Sequence, residues 1–305
     1  MPKTGPSDER PRDPHVAELY AEPFRIHRPS QQTVPFVFAS PHSGSCYPAS
    51  FVAKSRLSPI ALRRSEDAFV DELFEGAVTL GAPMIMARFP RAFLDVNRAP
   101  DEIDSSMFDG ALGVDVDAPS SRVAAGLGVI PRIVRDGAEI YRGKLAAWEA
   151  EERLAHLYHP YHRALGSLVD ETRARFGVAI LIDCHSMPSA AAVPDIVLGD
   201  RYGASSTPAL TRHADTCFQL HGFRVVRNMP YAGGYTTLLH GRRDRNVHAL
   251  QIEINRTLYL DEDRIQRGPQ FDPVQARVTA ALTEFLSLDW RTLLPGSAIT
   301  RFAAE

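Results

Sequence analysis

The chain has 305 residues, of which 44% are hydrophobic and 23% are charged, and its formal net charge is -3. This composition is typical of a soluble globular protein with a sizeable core, and the lack of a cationic excess argues against nucleic acid and anionic membranes as partners. No apolar run approaches the roughly 20 residues of a membrane helix, and the polar N-terminus lacks the apolar segment of a signal peptide. We therefore expect a cytoplasmic protein.

The chain contains three cysteines, Cys46, Cys184 and Cys217. Because they are odd in number and widely spaced, they form neither a disulfide framework nor a CxxC pair. We expect free thiols in a reducing compartment.

Strand-like and helix-like patterns alternate along the chain. Strands are predicted over 36–39, 83–87, 178–182, 195–199, 223–227 and 249–256, and helices over about 59–80, 138–176, 207–221 and 272–286. Pro160 predicts an interruption of the second helix, and Thr207 followed by Pro208 is typical of a capped helix start. The alternation predicts a layered α/β fold with a largely parallel or mixed central sheet.

Neither an internal repeat nor an interdomain linker divides the sequence. We predict a mobile tail over 1–20, with a short helix or an extended arm as the alternative at 16–20, and a single domain over 21–305. The stretch 99–135 has little periodicity and many Asp, Gly and Pro residues. Because irregular stretches of this length are uncommon unless functional, we interpret it as an excursion beside the functional site.

Three predicted strands carry metal-capable or acidic side chains. His42 and His185 follow apolar strands, and Glu253 lies between two isoleucines of the last strand. Open α/β sheets place their sites at the carboxyl ends of strands, and neutral imidazole is a good zinc ligand. Alternation along the strand turns Glu253 away from the isoleucines, either to an exposed edge or into a site where it could take a proton from water. For each histidine the alternative is a hydrogen-bonded loop residue. The sequence has no HExxH spacing that would favour the metal site over this alternative.

An acidic metal ligand would come from Glu66 or Asp67, near the start of a helical segment. The alternative is that Ser65 caps this helix and that acids in its first turn interact favourably with the helix dipole. The residue pattern alone leaves both interpretations open.

Cationic and polar residues form two further groups. Arg91, Asn97 and Arg98 lie close together in sequence, and Arg98 could bind a substrate carboxylate through two hydrogen bonds. A salt-bridged surface arginine is the alternative. The glycine loop before Tyr235 and Thr236 offers amides and hydroxyls, either as a simple turn or as a wall of the substrate site, and it does not match a P-loop.

Taken as a set, these segments resemble the N-formylglutamate amidohydrolase family over about residues 35–265. The matching motifs are Pro-His-Ser-Gly at 41–44, Glu-Asp at 66–67, Asp-Val-Asn-Arg at 95–98, His-Pro-Tyr-His at 159–162, Asp-Cys-His-Ser at 183–186 and Gln-Ile-Glu-Ile-Asn-Arg at 251–256.

The resemblance implies a three-layer α/β/α fold with a mixed central sheet, similar to phosphorylase/hydrolase-like zinc carboxypeptidases and aspartoacylases. It also implies one zinc ion held by His42, His185 and one acid, with Asp67 as our first choice and Glu66 as the rival. The carboxypeptidase pattern keeps its first histidine and its acid within one HxxE stretch, whereas position 45 here is a serine.

The same resemblance assigns roles in catalysis. Glu253 would be the general acid and base, Asn97 and Arg98 would bind a substrate carboxylate, and Arg91 would stabilise the oxyanion. Apart from the resemblance, the glycine loop makes Tyr235 and Thr236 our candidates for contact with the substrate.

The implied reaction is hydrolysis of N-formyl-L-glutamate, a small-molecule substrate, to formate and L-glutamate in histidine degradation. The alternatives are hydrolysis of another N-acyl amino acid or small peptide, and metal-free binding of small acidic ligands.

Overall fold

A computed structural model describes residues 13–113, 120–134, 137–189 and 194–293. The strands are β1 (Phe24–His27), β2 (Phe36–Ser40), β3 (Met84–Ala87), β4 (Phe108–Asp109), β5 (Leu145–Ala146), β6 (Ala179–Met187), β7 (Ile196–Gly199), β8 (Val225–Arg227), β9 (Val247–Asn255), β10 (Leu260–Asp261) and β11 (Gln266–Arg267). The helices are α1 (Pro14–Ala21), α2 (Ala49–Lys54), α3 (Pro59–Arg63), α4 (Val70–Phe74), α5 (Gly76–Thr79), α6 (Ser121–Ala124), α7 (Ala147–Arg153), α8 (His159–Phe176), α9 (Pro208–Leu220), α10 (Tyr235–His240) and α11 (Phe271–Leu286).

Seven strands form one mixed sheet in the order β1-β3-β2-β6-β9-β7-β8. The centre is parallel, because β2 pairs in parallel with β3 and β6, and β6 pairs in parallel with β9. The strands β1 and β7 run antiparallel to β3 and β9. Every residue of β2, β6 and β9 is buried, as expected for strands that are covered on both faces.

Helices cover both faces of this sheet and create two separate cores. Val37 and Leu181 belong to a core that includes residues of α1, α2, α7 and α8. Phe38 and Ile182 belong to a second core with α4, α5, α9 and α11. Because successive strand residues point to opposite faces, the two cores define three layers. The predicted α/β/α fold with a mixed central sheet is confirmed.

The helix predicted over 59–80 is interrupted, and the interruption is important for the site. α3 ends at Arg63, α4 begins at Val70, and Phe69 has a φ of 63° that is incompatible with a continuous helix. Glu66 and Asp67 lie in the gap. The expectation of one helix was wrong, and so was the alternative in which Ser65 caps it.

Other predicted elements occur with shifted boundaries. A π-helical turn, Leu154–Tyr158, joins α7 to α8 just before Pro160, where an interruption was predicted. Thr207 caps α9 as predicted, since its side chain accepts a hydrogen bond from the Leu210 N–H. The strand β1 and the helix α10 were not predicted.

The remaining predictions concern the N-terminal tail, the number of domains, the cysteines and membrane-spanning helices. Residues 1–12 of the predicted tail lie outside the described residues, whereas residues 14–20 lie in α1 with Leu19 buried, which agrees with the alternative of a short helix there. The single domain over 21–305 stays a prediction. All three cysteines are free thiols, as predicted. Within the described ranges, each helix is too short or too polar to cross a bilayer.

Arg153 joins α7 to the loop that precedes the candidate site. Its side chain is 2% exposed, and its Nη1 donates to the Phe93 carbonyl at 3.1 Å and to the Tyr141 hydroxyl at 2.9 Å. Arg153→Met should lower the free energy of unfolding by about 3 kcal/mol, because buried acceptors, including the Glu149 carboxylate, lose their partner. Urea unfolding followed by circular dichroism measures this change.

Arg173 provides a matched control on the neighbouring helix α8. Its side chain is 44% exposed, and its nearest carboxylate oxygen, on Asp170, is 4.0 Å away. Arg173→Met should change the free energy of unfolding by less than about 1 kcal/mol. Equal effects of the two substitutions would contradict the structural role of Arg153.

Candidate active site

Three metal-capable side chains converge at the carboxyl ends of β2 and β6. The Nδ1 atoms of His42 and His185 lie 3.3 Å and 3.0 Å from the same oxygen, Oδ2 of Asp67. All three residues are buried, and their ligand atoms lie within 4.8 Å of one another. Tetrahedral zinc ligands at about 2.0–2.1 Å from the metal are about 3.3 Å apart. The residues therefore fit a single zinc-like cation.

The loop after β2 holds Asp67 at this position. The Asp67 N–H donates to the His42 carbonyl at 3.0 Å. The Ser43 hydroxyl donates to the Asp67 carbonyl at 3.1 Å and accepts from the Asp71 N–H at 3.1 Å. A Cβ atom on Gly44 would collide with the Phe89 carbonyl. The Pro-His-Ser-Gly motif therefore serves backbone packing as well as the placement of His42, a candidate metal ligand.

Each of the two histidines has a buried carboxylate at its second ring nitrogen. His42 Nε2 is 2.8 Å from Asp95 Oδ1, and His185 Nε2 is 2.9 Å from Asp183 Oδ2. The second contact is short but poorly aligned, and the Asp183 oxygens have no well-aligned hydrogen-bond partner among the described residues. A carboxylate there favours the proton on Nε2 and leaves the Nδ1 lone pair for a metal. Both histidines therefore have the surroundings of metal ligands.

Arg256 neutralises the other side of Asp67. Its Nη2 donates to Asp67 Oδ1 at 2.9 Å, and its Nε donates to the Ser186 hydroxyl at 3.0 Å. Burial alone would raise the pKa of Asp67, but hydrogen bonds with His185 and His42 and the charge of Arg256 hold it well below its ordinary value. Asp67 is therefore an anion suited to bind a cation. No role for Arg256 was predicted from the sequence.

The rival acid, Glu66, faces away from this cluster. It is 2% exposed and accepts hydrogen bonds from Arg63, with Nε 2.9 Å from Oε1. It is absent from the group of metal-capable side chains found among the described residues. The geometry therefore favours Asp67 over Glu66.

Glu253 lies opposite His185 in the pairing of β6 with β9 and lines the same cavity. Its neighbour Gln251 donates from Nε2 to Glu253 Oε1 at 2.7 Å. Burial raises the pKa of Glu253 to about 7, against the opposing charges of His185 and Arg91. A carboxyl group with this pKa can accept and return a proton near neutral pH. Gln251 was missed, although its position two residues before Glu253 places it on the same face.

The predicted group of Arg91, Asn97 and Arg98 also lines this cavity. Arg91 Nε donates to Asp95 Oδ2 at 2.9 Å. Arg98 donates from Nε to the Leu127 carbonyl at 2.9 Å and from Nη1 to the Asn97 carbonyl at 2.8 Å. These residues lie on turns that follow β3, and their backbone contacts fix the side chains at the cavity wall.

Tyr235 and Thr236 lie behind Asn97 at the start of α10. Thr236 is fully buried, and its N–H donates to Asn97 Oδ1 at 2.8 Å. Tyr235 packs against the first core. Neither residue is among those that line the cavity, so the geometry does not support their predicted contact with a substrate. They support Asn97 instead, and a Cβ atom on Gly234 would collide with the Asn97 side chain.

The cavity has a volume of about 430 Å³. Its walls include the irregular excursion predicted to lie beside the site, which contributes Arg122, Leu127, Pro131 and Ile133. That placement is therefore correct for the described part of the excursion. A loop over 230–234 covers another side.

The chain is similar to proteins of known activity. Residues 34–260 match the family described as N-formylglutamate amidohydrolase. An N-formylglutamate deformylase of Pseudomonas aeruginosa is 31% identical over 243 residues, which cover 75% of this chain and 83% of the relative. One from Pseudomonas putida is 29% identical over 246 residues, which cover 76% of this chain and 84% of the relative.

Solved structures agree with this similarity. The crystal structure of an N-formylglutamate amidohydrolase from Ralstonia eutropha matches with a TM-score of 0.81 and 34% identity, covering 87% of this chain and 97% of that chain. A protein from Agrobacterium tumefaciens matches with a TM-score of 0.59 and 18% identity, covering 88% of this chain and 95% of that chain, and shows the shared fold alone.

Proposed function

The chain belongs to the N-formylglutamate amidohydrolase family, and we propose that it uses one zinc ion to hydrolyse N-formyl-L-glutamate to formate and L-glutamate. The membership confirms the predicted enzyme class, a hydrolase of linear amide bonds, and counts against a metal-free binding protein. The observation that carries the metal assignment is the convergence of both histidine Nδ1 atoms on Asp67 Oδ2.

The donor set favours zinc over other divalent cations. His42, His185 and Asp67 supply two nitrogens and one oxygen, whereas magnesium and calcium prefer oxygen ligands. When bound there, zinc would polarise the formyl carbonyl and lower the pKa of water at the site.

We assign both proton transfers to Glu253. Its carboxylate accepts a proton from the attacking water as the new C–O bond forms. It then gives this proton to the glutamate nitrogen as the C–N bond breaks. The hydrogen bond from Gln251 to Oε1 holds the carboxylate in place, and burial raises its pKa to about 7.

Two arginines complete the assignment. Arg91 is 27% exposed and bound to Asp95, and its charge would stabilise the oxyanion of the tetrahedral intermediate. Arg98, together with the Asn97 amide, would bind one carboxylate of the substrate. Cytoplasmic location and a role in histidine degradation stay predictions.

Metal removal tests the zinc assignment. Purified protein should contain about one zinc per chain, as expected for a catalytic site with three protein ligands. Dialysis against a chelator should abolish formate release from N-formyl-L-glutamate, and added zinc should restore it. Metal content by mass spectrometry and formate release are measured on the same sample.

Two outcomes would contradict separate parts of the proposal. Full activity in protein shown to be free of metal would overturn the metal dependence. Zinc-loaded protein that releases no formate from N-formyl-L-glutamate but cleaves an N-acetyl or other N-formyl amino acid would overturn the substrate.

A further inference from the structure

The lining of the cavity includes more arginines than carboxylates. Its lining includes the guanidinium groups of Arg64, Arg91, Arg98, Arg122 and Arg256. Arg91 is paired with Asp95 at 2.9 Å, and Arg256 is paired with Asp67 at 2.9 Å. These two ion pairs belong to the metal centre and its support.

Arg98 has a long ion pair, whereas no ion pair of Arg122 is found among the described residues. The carboxylate nearest to Arg98 belongs to Asp95, 3.9 Å from Nε, and Asp95 already binds Arg91. Arg122 is exposed, and no ion pair or hydrogen bond of its side chain is found among residues 13–113, 120–134, 137–189 and 194–293. Arg122 can therefore bind an anion from the cavity without breaking an ion pair among these residues, and an anion on Arg98 would compete with the 3.9 Å contact to Asp95.

Leu127 connects these two arginines. Its carbonyl accepts from Arg98 Nε at 2.9 Å, and its N–H donates to the Arg122 carbonyl at 2.8 Å. Burial lowers the pKa of Arg98, the charge of Asp95 opposes this shift, and the charges of Arg91 and Arg122 add to it. Both guanidinium groups line the same cavity, and their like charges repel each other. A dianion bound between them would relieve this repulsion and form charge-assisted hydrogen bonds.

We propose that Arg122 is a specificity-determining residue that binds the side-chain carboxylate of a dicarboxylic substrate. Arg98 binds the other carboxylate, and the formyl amide lies toward the metal centre. The enzyme therefore selects N-formyl amino acids with an acidic side chain over those with a neutral one. This inference rests on the proposed function, and it gives the described segment 120–134 a role in substrate selection.

The test compares N-formyl-L-glutamate with N-formyl-L-glutamine, whose side chain has the same shape but no charge. In zinc-loaded Arg122→Gln, we expect kcat/KM for the glutamate substrate to fall about 30-fold, mainly through KM, because a charge-assisted contact is lost. For the glutamine substrate, kcat/KM should stay within about twofold. The preference of the wild-type enzyme for the acidic side chain should then largely disappear.

Two further variants serve as controls. Arg132 lies in the same segment but outside the cavity lining, and it contacts Asp104 and Glu139. Arg132→Gln removes the same charge and should leave the preference unchanged. Arg122→Lys keeps the charge and should restore part of the preference, although it cannot form a bidentate pair.

The outcomes separate this inference from the proposed function. Equal losses on both substrates in Arg122→Gln, an unchanged preference, or an equal loss of preference in Arg132→Gln would overturn the role of Arg122. A wild-type enzyme that releases formate from neither substrate would overturn the proposed function itself.

Discussion

Glu253→Gln is expected to lower kcat for N-formyl-L-glutamate about 1000-fold while the zinc content stays at the wild-type level. The substitution preserves the shape of the side chain and removes the group that accepts and returns the proton. Glu253 is not one of the three metal-capable residues in the cluster, so zinc should remain bound. Formate release and zinc content are measured on the same preparation.

The pH dependence of kcat/KM and the variant Glu253→Asp, which has a shorter acidic side chain, refine this test. Burial raises the pKa of Glu253 to about 7, and a bound dication would lower it. Because the carboxylate form must accept the proton, kcat/KM should fall as the pH drops through a value at or below about 7. Glu253→Asp should keep an acidic limb with reduced activity, whereas the residual activity of Glu253→Gln should lose that limb. Full activity in zinc-loaded Glu253→Gln would rule out the assigned role.

Asp67→Asn should weaken zinc binding by more than about 100-fold and abolish formate release at equimolar zinc. Asparagine keeps the size of the side chain but lacks the negative charge that attracts a cation. Substitution of an outer-shell carboxylate typically costs about 10–100-fold in metal affinity, so Asp95→Asn should have a smaller effect. Zinc affinities are measured by competition with a chelator of known affinity.

Glu66→Gln is the matched control, because it removes the rival acid one position away. Glu66 is paired with Arg63 and lies outside the metal-capable cluster found among the described residues. Its substitution should leave zinc affinity within about threefold of the wild type. Zinc loss in Glu66→Gln combined with full zinc retention in Asp67→Asn would reverse the ligand assignment.

The two histidines and Glu253 could be found from the sequence because each is tied to a long apolar run. Such runs identify buried strands, and parallel strands end at the same edge of the sheet. Alternation along β9 also showed correctly that Glu253 points away from Ile252 and Ile254, which lie in the second core. Local pattern was sufficient wherever a side chain's position depended only on its own strand.

The surroundings of the metal-capable cluster could not be found in this way. The gap that holds Asp67 depends on contacts of Ser43 and Gly44 with distant segments, whereas the local spacing indicated a helix. The contacts of Asp95 with His42 and of Arg256 with Asp67 span 53 and 189 residues. Contacts over such separations are set by the assembled sheet, and no local periodicity reports them.

The cavity lining does not include the two residues predicted to contact the substrate, and the cause is similar. Tyr235 and Thr236 follow a glycine loop, and this suggested an exposed binding turn. They begin the helix α10, which was not predicted and which buries Thr236 against Asn97. Residues that face a cavity and residues that support its wall carry the same local signal in the sequence.

Anomalous diffraction at the zinc absorption edge, from crystals of the zinc-loaded protein, tests the central claim most directly. We predict one strong peak bonded to His42 Nδ1, His185 Nδ1 and Asp67 Oδ2, each about 2.0–2.2 Å from the metal. A peak bonded to Glu66 in place of Asp67, or no peak between the two histidines in protein that releases formate, would contradict it.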